Sequence, residues 1–190
     1  MRIITIRHGQ TVWNLDRRIQ GQTDIALDDV GLMQGQKAAK RLEHIPCDII
    51  YTSDLLRASK TAELINAYHN APLVMDKALR EMNLGFYEGR SWEDIDMSKL
   101  HALPHDNQPE SFADMYDRVK VCLDKIIDAG HQNIFIVSHN GTIKAMICYF
   151  LSPSAPSPPD VSVKNTALHV FEKRDSGWVM TVENDIRHLE

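Results

Sequence analysis

The run Asn133–Ser138 reads Asn-Ile-Phe-Ile-Val-Ser, four apolar residues in succession with no polar alternate. A strand of that kind has no side fit to face water. It must be covered on both faces, as the parallel strands at the centre of an α/β sheet are. Arg2–Ile6 and Asp48–Thr52 read as further strands, and Leu73-Val74-Met75 as a third short one. Between them lie helical patterns. Asp28–Leu42 has Leu32, Ala38, Ala39 and Leu42 at helical spacing, with Asp28 or Asp29 as cap. A second helix is expected from a cap at Ser53 or Asp54 to about Tyr68. Ser111–Asp128 carries Phe112, Met115, Val119, Cys122, Leu123 and Ile126 as one apolar stripe, and Ser111 with Asp114 resembles a capping box. Thr142–Leu151 is an apolar helix, and the proline-rich stretch Ser152–Asp160 is a loop. Thr166–Glu172 and Gly177–Glu183 read as two strands joined through Asp175-Ser176-Gly177. Strands alternating with helices predict an α/β fold with a mostly parallel sheet flanked by helices.

The chain's 190 residues suit one domain with a sizeable core, and no internal repeat divides residues 1–190. Hydrophobic residues make up 43% and charged residues 25%, the balance of an ordinary soluble protein. A net charge of −5 argues against bulk affinity for nucleic acid or acidic membranes, while a small cationic pocket stays compatible with it. The N-terminus enters a strand at once, and no apolar run approaches the roughly 20 residues of a bilayer span. Neither export nor membrane insertion is expected. Cys47, Cys122 and Cys148 are odd in number, far apart and in apolar contexts. They read as reduced thiols in a cytoplasmic protein, with a catalytic thiol the weaker alternative.

Three predicted strands end in polar turns. The first ends at Arg7-His8-Gly9. The second runs through Tyr51-Thr52-Ser53 into a helix carrying Arg57 in its first turn, and the third ends at Ser138-His139-Asn140-Gly141. Parallel strands place these turns on one edge of the sheet, the edge where α/β proteins bind ligands. His8, His139, Arg7 and Arg57 are therefore expected to meet near helix N-termini, whose free N–H groups favour anions. A pair of histidines with a carboxylate such as Glu81 can also bind a metal. Fixed guanidiniums, however, repel a divalent cation and match a phosphoryl group bidentately, so an anionic ligand is the stronger reading. Alone, each residue is bland: Arg57 reads as a solvated helix charge, His139 as a structural histidine, Glu81 as an exposed loop carboxylate. His44, His69, His101, His105, His131, His169 and His188 lack such context and read as surface or structural.

The ordered set of motifs resembles the histidine phosphatase superfamily, in the branch that includes cofactor-dependent phosphoglycerate mutases and related phosphatases. The resemblance rests on Arg7-His8-Gly9-Gln10-Thr11 with Trp13-Asn14, and on Gln20-Gly21-Gln22-Thr23-Asp24 with Leu27 and Gly31. It continues through Ser53-Asp54-Leu55-Leu56-Arg57-Ala58 with Thr61-Ala62, then Leu79-Arg80-Glu81 with Gly85-Phe86-Tyr87-Glu88-Gly89. It closes with Pro109-Glu110-Ser111, Val137-Ser138-His139-Asn140-Gly141, and Asn184-Asp185 with His188-Leu189. One such match is common by chance; the ordered set, covering nearly the whole chain, is not.

The resemblance implies a three-layer α/β/α sandwich of the phosphoglycerate mutase-like kind. It also implies a phosphomonoester hydrolase that needs neither metal nor cofactor. His8 would attack phosphorus as a neutral imidazole and become a phosphohistidine. Arg7, Arg57 and His139 would hold the non-bridging oxygens, and Asn14 would add a hydrogen bond. Gln20, Gly21 and Asn140 would complete the phosphate-binding set. Glu81 would protonate the leaving oxygen and then take a proton from water. This sequence departs from the family pattern at Gln10, where many relatives carry Glu, and at Asn140, where Gly is common. The Pro-Gly-Gly-Glu-Ser segment of many relatives is reduced to Gln108-Pro109-Glu110-Ser111, a loop expected to help cover the pocket.

Mutase relatives are longer over the site, whereas the stretch from Asn83 to Gln108 is short and carries the phosphatase-like Gly85-Phe86-Tyr87-Glu88-Gly89. Hydrolysis is therefore favoured over phosphoglycerate mutase activity, and over a non-catalytic phosphate-binding module. Trp13, Ile19, Phe86, Tyr87 and Trp92 are candidates for an apolar mouth, with core packing as the alternative for each. The expected partner is a small-molecule phosphate ester: a broad-specificity, α-ribazole phosphatase-like or sugar-bisphosphate substrate. Monomer and homodimer are both compatible with the sequence.

Overall fold

The computed structural model describes residues 1–94, 108–153 and 157–190. His101 and His105, part of the stretch from Asn83 to Gln108 and part of the proline-rich loop lie outside the described residues. At the centre of a six-stranded sheet, β1 (Arg2–Arg7) and β4 (Asn133–Ser138) pair in parallel, from Arg2 opposite Asn133 to Arg7 opposite Ser138. β2 (Ile49–Thr52) continues the parallel pairing beside β4, and β3 (Leu73–Met75) beside β2. On the other side β5 (Leu168–Arg174) runs antiparallel to β1, and β6 (Gly177–Asp185) antiparallel to β5. The order is β3-β2-β4-β1-β5-β6, so β5 alone opposes the other strands.

Both faces of the central strands are buried, and successive residues serve opposite cores. Ile3, Ile134 and Ile136 pack against α4 (Phe112–Asp128) and α5 (Asn140–Leu151). Ile4, Ile6, Phe135 and Val137 pack against α2 (Asp29–Leu42) and α3 (Leu56–Asn66). The outcome is the expected three-layer sandwich. Each fully buried isoleucine contributes about 1.5–3 kcal/mol relative to exposure. No helix among the described residues is long and apolar enough to cross a membrane.

Element ends follow the local chemistry, with several departures from expectation. Asp28 caps α2 by accepting from the Gly31 N–H at 2.7 Å. Ser111 caps α4, but Asp114 accepts from the Ser111 hydroxyl at 2.7 Å rather than from its backbone, so the expected box closes through side chains. α3 is not capped by Ser53 or Asp54. It starts after Leu55, and the distant Asp24 carboxylate accepts from the Leu56 N–H at 2.7 Å. It ends at Asn66, whose amide closes both backbone groups of Ala71, before the expected Tyr68. α5 begins at Asn140, two residues early, with His139 as its N-cap residue. β5 begins at Leu168 because Thr166 has φ +54, which a strand cannot hold. A short helix α1 (Val12–Leu15), closed by a Thr11–Asn14 capping box, was not expected at all.

The turn after β1 lies directly on the start of α2. A methyl group at Gly31 would sit 2.0 Å from the Gln10 carbonyl oxygen, and one at Gly9 would sit 2.4 Å from the Gly31 oxygen. Gly→Ala inside a helix ordinarily stabilises by about 1 kcal/mol. Here overpacking wins, since inserting a methyl into a packed contact costs roughly 1–3 kcal/mol and the obstacle is backbone. Gly31→Ala is therefore expected to lower stability in urea unfolding; an unchanged or raised midpoint would contradict the close approach.

Candidate active site

The carboxyl ends of β1, β2 and β4 deliver the expected side chains to one cavity of about 200 Å³. Arg7, His8, Asn14, Gln20, Gly21, Arg57, Glu81 and Asn140 line it, with Arg18, Met82, Leu84, Trp92 and Gly141. His139 lies against it, its ring centroid 5.1 Å from that of His8. The register explains the juxtaposition: the His8 N–H donates to the Ser138 carbonyl at 3.0 Å, which continues the β1–β4 ladder one step into the turns.

His8 is almost completely buried, at 3% exposure. Its Nδ1 lies 2.6 Å from the Gly9 carbonyl oxygen, which can only accept, so Nδ1 carries the proton. In the neutral ring the free lone pair is then on Nε2. Burial, followed by the Arg57 and Arg7 cations, holds the His8 pKa well below the usual histidine range. His139 is lowered in the same way by burial, Arg57, His8 and Arg7. Both rings are neutral near pH 7.

The guanidiniums are fixed by main-chain oxygens rather than by carboxylates. Arg57 donates to Gly21 at 2.7 Å and to Thr23 at 2.9 Å; Arg7 donates to Val163 at 2.7 Å. Burial lowers Arg57 to about 10, opposed by Glu81, Asp24 and Glu88, so it stays charged at neutral pH. Arg7 is lowered by burial too. The Nε atoms of both arginines, both ring nitrogens of His139 and the Gln20 Oε1 are buried without a hydrogen-bond partner from the protein. Unmet buried polar atoms are costly. Around one cavity, the arginine N–H groups and the one N–H of the neutral His139 ring define a receptor for a small anion with several acceptor oxygens.

Supporting contacts set the remaining groups. Asn14 uses its Oδ1 in the Thr11 capping box, which leaves its amide N–H groups for the cavity. The Gln20–Thr23 loop is held by Glu88, whose carboxylate accepts from the N–H groups of Gln22, Thr23 and Leu84 and from the Thr23 hydroxyl. Gly21 has φ +52, and a Cβ there would meet Glu88 Oε1 at 2.0 Å. Glu81 accepts from Met82 N–H at 2.9 Å and from Gly141 N–H, in the first turn of α5, at 3.1 Å.

Several contributors were not singled out in the sequence. Thr61 accepts from the Gly9 N–H at 3.1 Å, and Asn165 donates to the His8 carbonyl at 3.0 Å. The N–H of Thr166 donates to the Arg7 carbonyl, and His188 approaches the Thr166 hydroxyl at 3.0 Å, so that histidine backs the site instead of lying apart from it. Thr61, Glu88 and Glu110 stood in the quoted motifs without an assigned role. Nothing local marks Asn165 or Arg118, whose partners are remote in sequence.

The expected apolar mouth needs correction. Ile19 and Tyr87 are buried in the core, and Phe86 is covered by Arg90, 3.8 Å from its ring centroid. Trp13 carries the Arg18 guanidinium at 4.6 Å and lines an adjoining depression. Of the five aromatic and aliphatic candidates Trp92 lines the cavity, at 59% exposure, joined by Met82 and Leu84. Gln108–Ser111 does not line the cavity; Glu110 pairs instead with Arg118 at 2.6 Å. The cysteines are free: Cys122 and Cys148 are buried, and burial pushes Cys122 up to about 12 and Cys47 to about 11, which leaves them unreactive.

The family model described as the histidine phosphatase superfamily (branch 1) matches residues 3–186. A protein called phosphoglycerate mutase-like protein 4, from Arabidopsis thaliana, is 32% identical over 99% of this chain and 86% of its own length. Among solved structures, phosphoserine phosphatase from Entamoeba histolytica, in complex with 3-phosphoglyceric acid, is 30% identical. It superposes with a TM-score of 0.83 over 100% of this chain and 99% of that one. The α-ribazole phosphatase from Shigella flexneri is 26% identical, with a TM-score of 0.86 over 98% and 97% of the two chains.

The histidine assignments have a direct readout. At about pH 6.5 a free imidazole is half protonated. Nitrogen-15 NMR is expected to show His8 neutral there, with its proton on Nδ1; a charged ring at that pH would contradict the electrostatics. His8 and His139 bind fewer protons folded than unfolded, so stability must fall as pH drops through about 6.5. Thermal unfolding between about pH 7.5 and 5.5 should show that decline.

Proposed function

The chain belongs to branch 1 of the histidine phosphatase superfamily, and on that premise we propose that it is a metal-independent phosphomonoester hydrolase working through a phosphohistidine on His8. One observation carries the reading. The Nδ1 of His8 is committed to the Gly9 carbonyl, which leaves Nε2 as a lone pair beside the unpartnered buried donors of Arg7, Arg57 and His139.

In the first step the Nε2 lone pair attacks phosphorus and the ester P–O bond breaks. The leaving oxygen takes a proton from the Glu81 carboxylic acid. Arg7, Arg57, His139 and Asn14 hold the non-bridging oxygens, with Gln20, Gly21 and Asn140 around them, and stabilise the charge that spreads over these oxygens in the transition state. In the second step the Glu81 carboxylate removes a proton from water, the oxygen attacks phosphorus, and the P–N bond breaks. Its electron pair returns to Nε2, inorganic phosphate is released, and Glu81 is again an acid. The guanidiniums supply the positive charge that a divalent ion supplies elsewhere, and their fixed cations disfavour such an ion at the same place.

The mouth supports hydrolysis of an ester with an apolar or flat alcohol. Among the described residues, the cavity beyond the phosphate-binding set presents Met82, Leu84 and Trp92, with Arg18 as the one further cation, already stacked on Trp13. A second phosphate, which a mutase cycle requires, would find little matching charge there. This suits a broad-specificity or α-ribazole phosphatase-like substrate, acted on in the cytoplasm, where the three free thiols are at home.

Purified protein is expected to hydrolyse an aryl phosphate in the presence of a chelator, and His8→Ala to lose at least about 10³-fold in kcat, since removing a nucleophile removes its whole pathway. Full activity in His8→Ala, or loss of activity on chelation, would overturn the reading. Trp92→Ala is expected to lower kcat/KM for naphthyl phosphate about tenfold, the worth of one apolar contact of 1–2 kcal/mol, while glycerol phosphate changes less than about twofold. Equal losses on both would remove Trp92 from substrate recognition.

A further inference from the structure

Arg118, on α4, does not line the cavity, yet its guanidinium is spent entirely on the main chain that carries Glu81 and on the Glu110 carboxylate. A guanidinium has five N–H donors. Here Nη1 donates to the Ala78 and Arg80 carbonyls at 2.7 and 2.9 Å, and Nη2 to the Glu81 carbonyl at 3.0 Å. Nε and Nη2 hold the two oxygens of Glu110 at 2.6 and 2.9 Å. The missing member of the carbonyl series, Leu79, is held by the Ser138 hydroxyl at 2.7 Å. The Thr142 hydroxyl adds a second bond to Arg80 at 2.7 Å, and Gln22 a second to Glu81 at 3.1 Å. Every carbonyl from Ala78 to Glu81 is thus clamped, by Ser138 and Thr142 on either side of His139, by Gln22, and by one half-buried fork from α4.

Glu110 extends the clamp past Glu81. Its Oε2 accepts from the Asn83 N–H at 3.0 Å, and its own N–H donates to the Asn83 carbonyl at 2.7 Å. The carboxylate of Glu81, by contrast, is held by two bonds, to the N–H groups of Met82 and Gly141. Its place against a leaving oxygen is set chiefly by the backbone from which it springs. A lysine could not reproduce this, because an ammonium has three donors and no planar fork.

We propose that Arg118 is a positioning residue for proton transfer at Glu81, acting through the Ala78–Glu81 main chain and locked in place by Glu110. The inference rests on Glu81 being the proton donor. A displacement of about 1 Å can cost on the order of 100-fold in a catalysed step. The loss should appear only where the leaving oxygen needs the proton.

The test compares kcat/KM, which reports the transfer to His8, for an alkyl phosphate and for 4-nitrophenyl phosphate. Arg118→Lys is expected to lose about 10–100-fold on the alkyl ester and less than about fivefold on the activated aryl ester, with thermal stability followed in parallel. Added to Glu81→Gln, it should cost almost nothing further on the alkyl ester, because both act on one proton. Glu110→Gln, which keeps the shape of the partner, should show the same leaving-group bias more weakly and remains informative if Arg118→Lys does not fold. Equal losses on both esters, or full additivity with Glu81→Gln, would overturn the positioning role while leaving Glu81 as the acid. Glu81→Gln behaving like wild type would overturn both.

Discussion

Arg7 stands opposite Ser138 in the parallel ladder of β1 and β4, and the site is built outward from that pair. Because the strands run in one direction and stop together, the residues that follow them, His8 and His139, emerge side by side at one end of the sheet. The ladder needs a sheet covered on both faces, which the apolar runs of both strands supply through two separate cores. Once the register is fixed, the helices that begin at Asn140 and Leu56 bring their first turns to the same edge. A slip of one residue would send every side chain of either strand to the wrong face and would separate the two histidines.

The electrostatics of the pocket run against the fold's own stability. Arg57 and two histidines are buried together with the half-buried Arg7, and the arginines are anchored by carbonyl oxygens rather than neutralised by paired carboxylates. Buried charge without a counter-charge is unfavourable. The protein meets part of that cost by keeping both imidazoles neutral. The same arrangement leaves His8 with a free ring lone pair near neutral pH and makes the surrounding donors complementary to a small anion. Rigidity around the pocket is the counterpart: Glu88 and Arg118 each bind several neighbouring backbone groups, so the loops bearing Gly21 and Glu81 have little freedom to collapse inward.

Much of this was legible in the sequence because it is written locally. Strand ends, the Asp28 and Ser111 caps and the turns bearing His8 and His139 all follow from residues within a few positions of one another. What escaped depends on remote partners. The start of α3 is set by Asp24, some thirty residues earlier, so local cap residues misled. The turn at Thr166 was read as strand because its left-handed backbone is imposed by hydrogen bonds to Arg7 and His8. Aromatic residues near the site could not be sorted by pattern: Tyr87 turned inward and Trp92 outward within five positions. Arg118 drew no notice in the sequence, since three of its five hydrogen bonds go to carbonyl groups contributed by another segment.

The proposed reaction turns on a bond between phosphorus and nitrogen on His8. It is tested most directly by mixing the protein with a ³²P-labelled ester, quenching within the first turnovers in alkali, and mapping the label by peptide mass spectrometry. An acid-labile, alkali-stable phosphoryl group is expected on the peptide containing His8, and none in His8→Ala. Continued hydrolysis with no such group, or with the label on another residue, would contradict it.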